Sequence, residues 1–459
     1  MRLRPILMML LSLCAVLVPS LSAQPRRYTT HLPRIVYHSL TPNRLGIDLR
    51  LEAPQSALTP LHDTGARWAR AGDIDWSRVE AQQGLLDWSA AAGFEANVRR
   101  IRAAGLEPTG VIQRTPLWAS AVAGRVCGQP ASTAIPAFAQ FAEAMARRYA
   151  TGPLAVHVWQ IGNEVDFAPD QIVDWLGSGC WGTGIPPYYG GDYYGVALKQ
   201  VAAAVRRGNP GAEIIAAGLA HPWPDDAQTL GFVRGMLAAG AGNSFDALSY
   251  SGYGALGVND KVLLKAAHLR GVLGEYGLAW KPLIAAELGY PCFDAASCGQ
   301  GSVERQADYA ARIYAELIAA DLEMGVWFSL QMSDDDPMQH DLLDGPGSAP
   351  RPAYYALRNS LVLLRDAQPL GPPPVLPPDY AEGIQTLQLR TPRGVIYVIW
   401  DPRQAGATAW LSIPAGARVI CTDRLELPTP VTYDCTNQVA SGLLTVRTNS
   451  TRYVEVIGP

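Results

Sequence analysis

Between about residue 45 and residue 365, short apolar runs alternate with stretches whose apolar residues recur every three or four positions. The first pattern is that of a buried strand; the second is that of a helix with one face on a core. Eight runs are predicted as strands: residues 45–51, 66–72, 107–112, 156–161, 213–217, 247–250, 282–286 and 325–330. Between them, Phe138, Phe141, Met145 and Tyr149 share one helix face, and so do Tyr194, Leu198, Val201 and Val205. Asn209-Pro210-Gly211 stops the second of these helices, and another is predicted from Val303 to Ala319. Regular alternation of strand and helix predicts a parallel sheet with crossover helices. Eight such units, with no Gly-rich phosphate-binding turn after the first strand, favour a closed (β/α)8 TIM barrel over an open doubly wound sheet.

The pattern changes after Asp366. Residues 368–378 are rich in proline and read as a linker. Beyond them, residues 385–389, 395–400, 409–413, 443–446 and 453–457 alternate as strands, with turn residues between them. The expected organisation is therefore an α/β barrel over residues 24–367 and a small C-terminal all-β sandwich over 379–459. Few aromatics lie outside the strands of that sandwich, so it is expected to cover a barrel face rather than to bind polysaccharide.

Residues 1–23 read as an export signal. Arg2 and Arg4 precede an apolar run from Ile6 to Val18, then Pro19 and the small residues Ser20, Ser22 and Ala23. The run is short for a bilayer span, which needs about 20 residues. Cys14 would leave with this segment, and the six remaining cysteines suit disulfides in an oxidising compartment. The simplest pairing is sequential, Cys127–Cys180, Cys292–Cys298 and Cys421–Cys435, although spacing alone leaves other pairings open. The cysteines and histidines show no zinc-site spacing, and no metal or cofactor is expected. A net charge of −4 without a long basic run argues against nucleic acid or an anionic membrane as partner.

In such a barrel, reactive side chains sit where strands end. Two acids do so. Glu164 closes the fourth strand, Val156-His157-Val158-Trp159-Gln160-Ile161-Gly162-Asn163-Glu164, and Glu287 closes the seventh, within Ala286-Glu287-Leu288-Gly289-Tyr290. Carboxyl groups reaching in from strands four and seven can flank one glycosidic bond. With these residues the chain resembles the large clan of retaining glycosidases that carry Asn-Glu on strand four and Glu on strand seven, and most of all its β-xylosidase-like and cellulase-like members. The resemblance implies Glu164 as acid/base, Glu287 as nucleophile and Asn163 as the contact to the sugar 2-hydroxyl. Further matches are Gly65-Ala66-Arg67-Trp68-Ala69-Arg70, Thr115-Pro116-Leu117-Trp118-Ala119 and Pro352-Ala353-Tyr354-Tyr355. They imply that Arg70 reaches the nucleophile. Two positions depart from the pattern: Val165 stands where many members have Pro, and Ser251-Gly252-Tyr253 keeps only the Tyr of a His-x-Tyr motif. Tyr253 is expected to hydrogen-bond the nucleophile.

Aromatic side chains near strand exits are candidates for stacking on sugar rings. They are Trp118, Trp175, Trp181, Tyr188, Tyr189, Trp223 and Trp327, with Trp327 expected as the floor beside the scissile bond. Residues 334–336, three aspartates, read as a solvated loop more readily than as a calcium site. The expected partner is a carbohydrate substrate, and the reading is a secreted retaining glycosidase. The alternatives are a catalytically silent carbohydrate-binding protein on the same barrel, prompted by the altered sixth strand, and a transglycosylase.

Overall fold

The computed structural model describes residues 43–458, apart from 50–54, 64, 173–177, 222–224, 254–260, 291–301, 332–340, 345–348, 372–382 and 402–405. The export-signal segment, the pair Cys292–Cys298, Trp175, Trp223 and residues 334–336 lie outside the described residues. Eight parallel strands close into a barrel. They are β1 (Leu45–Asp48), β2 (Trp68–Asp75), β3 (Glu107–Gln113), β4 (Val158–Ile161), β5 (Glu213–Leu219), β6 (Ala247–Ser251), β7 (Leu283–Leu288) and β8 (Met324–Trp327). Closure is made by β1 against β8, with Leu45 opposite Gly325 and Ile47 opposite Trp327.

The helices are α1 (Gln55–Asp63), α2 (Trp76–Val79), α3 (Ala92–Ala103), α4 (Ile135–Arg148), α5 (Gly191–Gly208), α6 (Ala227–Ala238), α7 (Lys261–Glu275), α8 (Ser302–Ala319) and α9 (Pro352–Leu363). Strand alternation explains how barrel and helices meet. On β4, Trp159 turns outward and packs on Phe94 of α3 and on Tyr149 just after α4, with ring centroids 5.8 and 5.7 Å away. Gly110 of β3 leaves the space for that ring, since a Cβ there would lie 2.5 Å from it. The next residue, Gln160, turns inward and starts the polar layer at the barrel's C-terminal end.

The C-terminal strands are β9 (Gln368–Pro369), β10 (Gln385–Thr391), β11 (Gly394–Trp400), β12 (Thr408–Ser412), β13 (Arg418–Asp423), β14 (Val431–Asp434), β15 (Leu443–Arg447) and β16 (Arg452–Ile457). They form a six-stranded sheet in the order β14-β13-β16-β11-β10-β9, and β12 pairs with β15 as a small second sheet. Residues of β11 divide by parity. Ile396, Val398 and Trp400 join the apolar core that runs through the barrel helices, whereas Ile399 faces the core shared with Leu411, Leu444 and Val446 of the small sheet. The large sheet is thus covered on both faces. Its seam with the barrel is also polar. Tyr453 OH donates to the Ala311 carbonyl of α8 at 2.5 Å, Thr451 Oγ1 donates to Asp308 at 2.8 Å, and Asn359 Nδ2 of α9 donates to the Leu425 and Leu427 carbonyls at 2.8 Å.

Two expected disulfides are formed, Cys127–Cys180 and Cys421–Cys435. Three strands, β9, β13 and β14, were not anticipated. β9 falls in the segment expected as linker, where Gln368 and Pro369 pair with Arg390 and Leu389 of β10. All four residues of β14 are exposed, so it carries no alternation to read. Among the described residues no helix is long and apolar enough to cross a membrane.

Candidate active site

The chain turns sharply after β4. Gly162 has φ +78°, and a Cβ there would lie 2.4 Å from Val165 Cγ1. Glu164 itself adopts φ +51°, a left-handed conformation that side chains other than glycine rarely take. Strain of this kind persists where the surroundings over-determine the position. Here they do. Gly162 N–H donates to Ile112 O at 2.8 Å, and the carbonyls on either side, of Asn163 and Val165, accept from Gly179 N–H at 2.7 Å and Trp181 N–H at 3.1 Å.

The Glu164 carboxyl receives one hydroxyl on each oxygen. Ser178 Oγ donates to Oε2 at 2.5 Å, and Ser251 Oγ donates to Oε1 at 3.1 Å. Its pKa is pushed up to about 7, chiefly by burial and then by the negative charge of Glu287, with Asp166 adding to the effect. The two hydroxyls act the other way, since they stabilise the ionised form.

Glu287, near the end of β7, is 4 % exposed. A register shift between β6 and β7 sets it opposite Ser251, the residue that donates to Glu164. Arg70 Nη1 donates to Glu287 Oε1 at 2.8 Å, and Tyr253 OH donates to Oε2 at 2.6 Å. Arg70 is itself encircled by acids, with Asp48 at 3.3 Å and Asp73 at 3.4 Å. Burial opposes the Arg70 charge, but Asp48, Glu287 and Asp73 outweigh it and raise its pKa above the ordinary guanidinium value. The two glutamates therefore meet opposite conditions. Glu164 is held where a proton stays on near neutrality, and Glu287 is held against a permanent cation. A proton donor beside an ionised carboxylate is the combination that acid-assisted nucleophilic displacement requires.

Asn163 is buried beside them, and its Oδ1 accepts from Gln160 Nε2 at 3.1 Å. That leaves its amide N–H groups as the donors available to a ligand.

The aromatic positions are sorted differently from expectation. Trp327 is not a floor of the site. It is fully buried and packs on Tyr309 of α8, with centroids 6.0 Å apart. Its neighbour Phe328, half-buried, lies edge-on to Tyr253 at 6.1 Å and so stands beside Glu287. One residue along a strand reverses the facing, and the expectation was one residue out. Trp181 is likewise buried. It packs against Phe138 and Tyr194 and helps wall a small cavity that Asn163 and Ser178 also line. Trp118 is half-buried, edge-on to Trp76, and its Nε1 donates to the Glu80 carbonyl at 3.0 Å. Tyr188 and Tyr189 pack over Gly235 and Gly231 of α6. Asp48, Asp73, Ser178, Ser251 and Phe328 are site positions the sequence did not mark. Ser251 was visible as the substituted histidine position, whereas Ser178 follows no motif. Among the described residues, no group of three or more Cys, His, Asp or Glu is arranged to hold a metal.

The barrel with its appended β-domain has the fold seen in several solved glycoside hydrolases. The chain matches a family 39 glycoside hydrolase from the gut symbiont Bacteroides cellulosilyticus with a TM-score of 0.62 and 17 % identity, over 91 % of this chain and 81 % of that one. It matches the family 30 endoxylanase of Clostridium papyrosolvens (TM-score 0.56, 12 % identity, 91 % and 97 % covered) and the catalytic domain of family 30 xylanase C from Talaromyces cellulolyticus (0.58, 12 %, 91 % and 97 %). At such identities the likeness is one of fold. No protein-family profile and no curated protein sequence matches the chain.

Proposed function

We propose that the protein is an extracytoplasmic retaining glycoside hydrolase acting on β-linked oligo- or polysaccharides, with Glu164 as acid/base and Glu287 as nucleophile. The observation that carries this reading is the contrast between the two carboxyls. Glu164 is raised to about 7 by burial and by Glu287, while Glu287 is clamped between Arg70 at 2.8 Å and Tyr253 at 2.6 Å. In the first step Glu164 gives its proton to the glycosidic oxygen as Glu287 attacks the anomeric carbon, and the leaving alcohol departs. In the second, Glu164, now ionised, takes a proton from water, whose oxygen displaces the Glu287 ester. Asn163 is proposed to bind the 2-hydroxyl and Phe328 to bound the sugar subsite beside Tyr253. Two of the fold relatives, the endoxylanase of Clostridium papyrosolvens and xylanase C of Talaromyces cellulolyticus, support a β-linked plant-type substrate, and the N-terminal segment and the disulfides support export.

The altered sixth strand had prompted the alternative of a silent binding protein. Ser251 and Tyr253 each hydrogen-bond one of the two glutamates, so the substitution leaves neither carboxyl without a partner from that strand. The test is a screen of aryl β-glycosides and plant polysaccharides, with NMR of the first-formed anomer. Retention, abolished in a folded Glu287→Ala variant, is the expected result. Turnover by Glu287→Ala at the wild-type rate, or an inverted first product, would sink the reading. Binding without hydrolysis across the panel would favour the silent protein.

A further inference from the structure

Ser178 lies in the β4–α5 connection, is 5 % exposed, and donates to Glu164 Oε2 at 2.5 Å. The chain around it is fastened at consecutive residues. Gly179 N–H donates to Asn163 O, Cys180 N–H to Cys127 O at 2.8 Å, and Trp181 N–H to Val165 O. The Cys127–Cys180 disulfide then ties the segment to the β3–α4 connection. The strap passes close at Gly179, where a Cβ would lie 3.0 Å from the Asn163 carbonyl. The two carbonyls gripped by the strap belong to the residues on either side of Glu164.

A hydroxyl suits this position for a chemical reason. It donates to a carboxylate, and by rotating about its C–O bond it accepts from a carboxylic acid. An ammonium or a backbone N–H only donates and would favour the ionised state alone. A carboxyl that gives up a proton and recovers it in each turnover needs support in both states. We propose that Ser178, strapped by the Cys127–Cys180 disulfide, is a positioning residue that fixes the orientation of the Glu164 carboxyl in both of its protonation states. This rests on the reading of Glu164 as acid/base. The charged groups facing Glu164 are Glu287 from β7 and Asp166 from its own loop, and the other hydroxyl is Ser251 from β6.

The experiment compares wild type, Ser178→Ala, Ser178→Thr and the Cys127→Ser/Cys180→Ser pair. The first measurement is the 13Cδ titration of Glu164 without substrate, assigned by the signal missing in Glu164→Gln. The bond to the carboxylate is charge-assisted and the stronger of the two, so its loss in Ser178→Ala is expected to raise the Glu164 midpoint by about one pH unit. The disulfide pair should move it the same way and Ser178→Thr should restore it. The second measurement is kcat on aryl glycosides of good and poor leaving groups. Ser178→Ala is expected to lose about tenfold on the poor one and little on the good one. An unmoved titration, or an equal loss on both substrates, overturns the inference. A Glu164→Gln enzyme with no leaving-group dependence overturns the acid/base reading instead, which the titration is independent of. If Ser178→Ala does not fold, Ser178→Cys, of similar size and a weaker donor, is read by the same criteria.

Discussion

Replacing Arg70 by methionine keeps much of its bulk and removes its charge. The structure sets the size of the effect. Arg70 is 2 % exposed and faces Asp48, which is 0 % exposed, at 3.3 Å and Glu287 at 2.8 Å. At an effective dielectric near 20 these contacts correspond to about 5 and about 6 kcal/mol of attraction, respectively. Much of that offsets the cost of having taken all three charges out of water. The net loss on removing one partner of a buried ion pair is about 3–5 kcal/mol, because the carboxylates left behind are uncompensated. The pH dependence has a definite sign. Without the cation, the buried carboxylates bind protons more tightly in the folded chain than in the unfolded one. The folded variant therefore holds the extra protons, and its stability falls as pH rises. The destabilisation should be full near pH 8 and shrink toward pH 5. Urea denaturation of both proteins at the two pH values measures it. A difference below about 1 kcal/mol at pH 8, or one that grows on acidification, would refute the assignment of Arg70 as the cation that balances this cluster. Hydrolysis should fall with stability at neutral pH, because Glu287 loses the hydrogen bond and ion pair from Arg70.

Glu164→Gln is expected to remove the basic limb near pH 7 from the kcat/KM profile and to slow poor leaving groups by about 10²–10⁴-fold, with a much smaller loss on activated aryl glycosides. A basic limb that survives in the variant would reassign that ionisation. Trp327→Ala and Phe328→Ala test the facing of β8. The first should cost about 3–5 kcal/mol in denaturant titration. The second should cost less stability and lower kcat/KM by about tenfold or more; the reverse ranking would return Trp327 to the site. A chain ending at Asp366 should be insoluble or melt well below the full protein, since it strips the sheet from α8 and α9. A soluble barrel with unchanged Tm would show that the β-domain does not support it.

The barrel was legible because its strands are buried on both faces and its helices on one, which leaves continuous apolar runs beside a period of three to four. The C-terminal sheet was legible in β11 and β16 but not in β13, although β13 is largely covered. It was lost at β14, whose residues face solvent, and at β9, where two residues are too few to carry a period. At the site, Glu164, Glu287 and Tyr253 were readable because each sits at or just past a strand end in a recognisable neighbourhood, and Arg70 because of the motif around it on β2. The aromatic floor was not. Tryptophan is the more conspicuous residue for a sugar platform, but parity along β8 gives the inner face to Phe328, and where the alternation falls depends on the bulged register between β7 and β8. Ser178 was unreadable for another reason. It reaches Glu164 only through a disulfide and three backbone hydrogen bonds, none of which leaves a local pattern.

The proposed division of labour between two identical side chains follows from what each strand end sees. Glu287 stands next to an arginine that three acids keep charged, so its carboxylate has a fixed counter-ion. Among the described residues, the groups that chiefly set the protonation of Glu164, after burial itself, are two hydroxyls and two other acids, so its proton is held near neutrality. The coupling runs one way through the cycle. While Glu287 is ionised, its charge helps keep Glu164 protonated and ready to act as acid. In the proposed second step, with Glu287 esterified, that charge is gone and burial and Asp166 are left to oppose ionisation, so Glu164 releases its proton more readily and can serve as base. Arg70 is then left facing a neutral ester with Asp48 and Asp73 still beside it, which keeps the buried cation compensated through both halves of the reaction. In the proposed mechanism, the surplus of acids around Arg70 is what would allow one of them to lose its charge during turnover.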